Sequence, residues 1–158
     1  MLVTDVDGDG LADVISSLDA HGWGLAWFQQ QRDGGEVMFA SHPIMGDRSE
    51  SDRFGVAFSQ PHALTLADIN GDGLPDVVCG KRMWAHGPTG DVEPSAEPVL
   101  YWFELQRQSD GVRFVPHEID AASGVGVQVT AGDLNRDGRM DILTVSKLGT
   151  FVFLQESP

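Results

Sequence analysis

One nine-residue pattern occurs three times in this chain, and it restricts the fold to one built from repeated units. The copies are DVDGDGLAD at 5–13, DINGDGLPD at 68–76 and DLNRDGRMD at 133–141. All three read D-x-[DN]-x-D-G-x-x-D, and they recur roughly every 64 residues. Oxygen side chains stand at loop positions 1, 3, 5 and 9: Asp5, Asp7, Asp9 and Asp13; Asp68, Asn70, Asp72 and Asp76; Asp133, Asn135, Asp137 and Asp141. If the backbone curls, these oxygens converge on one point. The glycine at position 6 (Gly10, Gly73, Gly138) permits the positive φ that such a curl needs.

Position 7 is Leu11, Leu74 or Arg139, none of which has an oxygen side chain, so a backbone carbonyl is expected there. Hard oxygens in this number suit Ca²⁺, which takes about 6–8 of them. The expectation is therefore up to three Ca²⁺ ions. A metal-free Asx/Gly turn is the simpler alternative. Against it stands the mutual repulsion of three or four acids in each loop. An EF-hand starts in a similar way but needs Glu at position 12 and a helix on each side. Here position 12 is Ser16, Cys79 or Thr144. The flanks (LVT, ALTLA and VQVTAG before; DVIS, DVVC and DILTV after) are apolar and β-branched, so strands bracket each loop.

Charge is concentrated in the same places. The 158 residues carry 24 acids against 10 Lys and Arg, a net charge of −14. Ten of the acids lie in the three loops, and the rest nearly balance the basic residues. An acidic chain repels phosphate backbones, which disfavours nucleic acid as a partner. No apolar run approaches the length of a membrane span, so no membrane role is expected. The N-terminal segment lacks the basic and apolar regions of a signal peptide. Cys79 is a single cysteine inside the apolar run DVVCG, where a buried inert thiol is expected.

The remainder of each unit also repeats. Residues 24–30 match 99–105, with Trp27 over Trp102, and 150–155 are a looser third copy; residues 36–44 match 112–119, with His42 over His117. The units read as strand A, acidic loop, and strands B, C and D. Strands are expected at 1–4, 13–18, 24–30 and 36–42, then at 62–67, 76–82, 99–107 and 112–119, and finally at 127–132, 141–147 and 149–155. No segment has helical periodicity. The expected fold is all-β, with four-stranded antiparallel propeller blades. The repeats would occupy 1–61, 62–126 and 127–158, the last truncated. That makes about two and three-quarter blades, a partial propeller within a longer chain.

On these motifs the chain resembles the FG-GAP / VCBS-type β-propeller repeats, whose D-x-[DN]-x-D-G-x-x-D loop joins the first two strands of a blade and holds Ca²⁺. It is also similar to the propeller heads of integrin α chains and to exported planctomycete proteins. Arg53-Phe54-Gly55-Val56-Ala57 is only a partial echo of the Phe-Gly…Gly-Ala-Pro signature, which favours the VCBS-like branch. The resemblance implies an extracellular or periplasmic setting, with further blades or domains as partners. Related propellers occur in aldos-2-ulose dehydratases and polysaccharide lyases, so part of a carbohydrate-active enzyme is the alternative reading.

Strand direction sends the acidic loops to one end and the B–C and D–A connections to the other. That opposite end should gather Trp23, Lys81, Arg82, Trp84 and His86, a candidate face for a carbohydrate or protein ligand. The insertion 83–98 occurs in one unit only, and insertions on a scaffold often carry function. His42 and His117, being repeated, are expected to be structural. No G-x-S-x-G, H-E-x-x-H or C-x-x-C pattern occurs. Lys81 or His86 is the candidate base if a lyase reaction exists, but a binding or assembly module is the preferred reading for this chain.

Overall fold

The computed structural model describes residues 1–156, so the last two residues of the third repeat lie outside the described residues. It contains eleven strands: β1 (Leu2–Thr4), β2 (Asp13–Ser17), β3 (Leu25–Asp33), β4 (Glu36–Met45), β5 (Pro61–Ala67), β6 (Asp76–Lys81), β7 (Leu100–Gln108), β8 (Gly111–Asp120), β9 (Val129–Gly132), β10 (Asp141–Ser146) and β11 (Gly149–Phe153). They form three antiparallel meanders, β1-β2-β3-β4, β5-β6-β7-β8 and β9-β10-β11. The fold is thus all-β with propeller-like blades. One departure from expectation is a 3-10 turn at Arg48–Glu50 running into a single helical turn, α1 (Ser51–Phe54). Asp47 starts it by accepting the Ser49 N–H, and Gly55 ends it in the left-handed region at φ 76°. Four residues are too few to show a helical period. Among the described residues no helix is long and apolar enough to cross a membrane.

The first strands of the units lie side by side, β1 against β5 and β5 against β9. The sheets then stack face to face, and the register shows how. Ile15 pairs with Trp27, and Trp27 with His42. The equivalent row in the second sheet is Val78, Trp102 and His117. In both rows the indole stacks on the imidazole, with centroids 4.4 and 4.3 Å apart. Each imidazole also meets the side chain two residues beyond its Trp, His42 with Gln29 and His117 with Glu104. These repeated histidines therefore sit in the walls of the blades.

Two cores result. Ile15, Leu25, Trp27, Val77, Cys79, Phe103 and Leu105 fill the space between the first and second sheets. Val78, Leu100, Val125, Val129 and Ile142 fill that between the second and third. Strand β6 contributes alternate residues to both and is buried at every position. That is why its sequence is a continuous apolar run and not an alternation. Gly80 is required there, because a Cβ would come within 2.7 Å of Val125 Cγ1 and 2.8 Å of the Val99 carbonyl. Cys79 is wholly buried, and desolvation pushes its thiol far above the usual range, which makes it inert.

Candidate functional site: three acidic loops and the opposite loop cluster

The three loops share one backbone. Position 6 lies at φ 85° in Gly10, 86° in Gly73 and 87° in Gly138. Position 4 is also left-handed: Gly8 at 87°, Gly71 at 77° and Arg136 at 65°. The sequence pattern pointed to the first requirement and missed the second, although glycine in two of the three copies was the available signal. The position 1 carboxylate is a hub for inward-turned N–H groups. Asp5 accepts from Gly8 and Gly10. Asp68 accepts from Gly71, Asp72 and Gly73, and Asp133 from Asp137 and Gly138. Position 5 (Asp9, Asp72, Asp137) accepts from the N–H of position 7 (Leu11, Leu74, Arg139).

Position 9 differs in kind. Asp13, Asp76 and Asp141 are wholly buried. One oxygen of each accepts the N–H of position 2: Val6, Ile69 and Leu134. The other accepts an N–H from the third strand or its continuation: Gln30, Leu105 and Gln155. The motif's last acid thus fastens the loop to its own sheet, a role that spacing alone did not disclose. Burial pushes the Asp76 carboxyl above its ordinary value, against the two backbone hydrogen bonds and with help from the charges of Asp72 and Asp68.

The loops are not equivalent electrostatically. In the first, Asp5, Asp7 and Asp13 each bring an oxygen within 4.8 Å of the others. Gln29 donates to Asp7, and Arg107 of the second sheet donates to the carbonyls of Asp5 and Val6. In the second and third, Asn70 and Asn135 stand at position 3, and their amides donate to Asp72 and Asp137. The third loop adds a guanidinium, Arg139 on Asp137 at 2.9 Å. The Arg139 N–H, the Asn135 amide and that guanidinium hold Asp137 below the ordinary carboxylate range.

At the other end the insertion is pinned over the first unit. The Val92 carbonyl accepts from Ser59 Oγ and Gln60 Nε2, and Glu93 is paired with Arg48. Trp23 lies under the Arg48 guanidinium, 5.6 Å from its centroid. Arg82 meets His62 at 2.9 Å, while Trp84 turns toward Lys147 of the third sheet. His86 is held by Asp91, which the sequence reading had not singled out. Lys81 departs from the expected surface role. It is the last residue of β6, wholly buried, with Nζ donating to Ser59 Oγ at 3.1 Å. Desolvation lowers its pKa, partly offset by Glu93. It can act only from beneath the face and not as part of it. A groove of about 970 Å³ between β4 and β8, lined by Trp27, His42, Arg53 and Phe114 among others, contains none of these candidates.

Compared with known proteins, residues 5–79 match the family model described as the FG-GAP-like repeat. No curated protein matches the chain. The matched segment covers just under half of the chain, from the first acidic loop through the first sheet to the second loop and β6. The third loop repeats the same hydrogen-bond scheme beyond it. The match places an FG-GAP-like repeat over residues 5–79, and the described residues fold as propeller-like blades.

Proposed function

We propose that this is a calcium-stabilised propeller module of an exported protein, binding a carbohydrate or protein ligand at the end opposite its metal loops. The observation that carries calcium is the convergence of Asp5, Asp7 and Asp13 within 4.8 Å on a backbone that the other two loops repeat. The donors are hard oxygens, and the acids repel one another until a cation neutralises them. Calcium would supply cross-linking of loop to sheet and no redox or covalent chemistry.

Further blades are the natural partners of the two outer sheets. The face of the first sheet bearing Trp27 and the face of the second bearing Trp102 are each covered by the next sheet. On the third, the corresponding face carries Val145 and Val152, which are 53% and 52% exposed. On the first sheet the face opposite Trp27 leaves Phe28 partly exposed, where its counterpart Phe103 is wholly buried. Sheets of the same kind would cover both. The enzyme reading draws on Lys81 or His86, the first a buried amine of lowered pKa beneath the candidate ligand face and the second an exposed imidazole paired with Asp91.

The test is thermal unfolding with excess Ca²⁺ and with excess chelator. A ligand bound only by the folded state stabilises by about 2.7 kcal/mol at one hundred times its Kd. Calorimetric stoichiometry should fall by one site in Asp72→Ala and by one in Asp137→Ala. Identical melting curves in Ca²⁺ and in chelator would overturn the calcium reading.

A further inference from the structure

At the end remote from the acidic loops, three side chains from two separate loops converge on one point. His21 comes from the β2–β3 loop, and His86 and Asp91 come from the insertion between β6 and β7. Asp91 Oδ1 lies 2.8 Å from His86 Nδ1 and 3.4 Å from His21 Nδ1. The two imidazole centroids are 4.7 Å apart. The Asp91 side chain is 1% exposed, and among the described residues its ion-pair partners are these two histidines.

Capping explains part of this arrangement. Asp91 Oδ2 accepts the N–H groups of Ala85 and His86 at 2.6 and 2.8 Å, which shapes the loop. Those bonds, with desolvation opposing them, hold Asp91 well below the usual carboxylate range. Capping does not explain His21. Its Nδ1 is buried and has no hydrogen-bond partner, yet it faces a carboxylate oxygen. A buried nitrogen left without a partner 3.4 Å from a carboxylate oxygen is a position that a shared cation would satisfy.

We propose that His21 Nδ1, His86 Nδ1 and Asp91 Oδ1 form a site for a transition-metal ion of the Zn²⁺ type. Zinc bonds of about 2.0–2.1 Å in a tetrahedron place ligand atoms about 3.3 Å apart, close to the His21–Asp91 separation. The His86–Asp91 contact opens by about half an ångström to admit the ion. The His86 proton then sits on Nε2, on a ring that is 65% exposed to water. Two imidazoles and one carboxylate select Zn²⁺ over Ca²⁺ or Mg²⁺. The backbone N–H groups on Asp91 Oδ2 supply the outer support that orients a ligating carboxylate. Three protein ligands leave a fourth position for water or a ligand oxygen. His62, edge-on to His21 with centroids 6.1 Å apart and bonded to Arg82, stands beside the site. The site does not depend on the calcium reading, since it shares no residue with the acidic loops.

The test titrates the full chain with Zn²⁺ alone, calorimetrically, in saturating Ca²⁺. One Zn²⁺ per chain is expected, with affinity reduced by more than tenfold in His21→Ala and in His86→Ala. His42→Ala and His117→Ala remove blade-wall imidazoles and should leave Zn²⁺ binding unchanged. Each variant is first checked for an unaltered circular dichroism spectrum. Co²⁺ in place of Zn²⁺ should give the intense visible bands of a four-coordinate site and lose them in His86→Ala. Absence of Zn²⁺ binding overturns the proposal. So does binding that survives both His21→Ala and His86→Ala, or that falls equally with His42→Ala.

Discussion

Replacing Asp76 with alanine separates the two roles that the acidic loop combines. In the folded chain Asp76 is wholly buried, with Oδ2 on the Ile69 N–H and Oδ1 on the Leu105 N–H, each at 2.9 Å. Alanine leaves both donors without a partner. A buried unsatisfied N–H costs about 1–3 kcal/mol. The Leu105 donor is fully buried and the Ile69 donor only partly, so the combined loss is about 2–4 kcal/mol. Relief of the desolvated charge offsets a fraction of it. Asp72, in the same loop, is exposed and accepts the Leu74 N–H and the Asn70 side-chain amide on the protein surface, where water replaces it. Its removal in chelator should cost no more than about 0.5 kcal/mol. Urea unfolding in excess chelator reads the difference without any contribution from calcium. With a slope of about 1–3 kcal/mol/M, the Asp76→Ala midpoint should drop by about 1–2 M while that of Asp72→Ala barely moves. Equal losses for the two variants in chelator would refute a structural role for position 9. In Ca²⁺, both variants should lose the second site.

The third loop should bind Ca²⁺ most weakly, since Arg139 occupies Asp137; Arg139→Leu, the residue type of the other two loops, should tighten that site by up to about fivefold in calorimetry, and an unchanged or weaker site would count against the reasoning. Arg136 pays for a left-handed backbone that Gly8 and Gly71 adopt freely, so Arg136→Gly should raise the urea-derived stability by about 0.5–1 kcal/mol, and destabilisation would refute it. The Asp76 carboxyl should titrate above the ordinary value in chelator and below it in Ca²⁺, as followed by carboxyl-carbon NMR. Because its folded pKa is raised in the absence of the ion, its contribution to stability is fully present below the unfolded value of about 3.9 and is lost as pH rises through the folded value. A titration midpoint indifferent to Ca²⁺ would show that no ion reaches it.

The loops and strands were legible in the sequence because their determinants are local. Asp at alternate positions, glycine at position 6 and β-branched flanks act within ten residues of one another, and each recurs three times. The Trp and His that repeat with them marked the blade walls for the same reason. What the chain could not disclose locally came from packing between units. The run Val77-Val78-Cys79 reads simply as apolar, and only the stacking of sheets on both sides makes β6 buried throughout. Lys81 reads as a surface cation at a strand end, yet the strap of residues 91–93 and the 59–60 segment close over it. Asp91 carried no motif, and it stands 70 residues from His21. The difference is one of range. Backbone curl and strand period are set by neighbours along the chain, whereas burial and the meeting of His21 with Asp91 depend on one unit's insertion folding over another unit's loop.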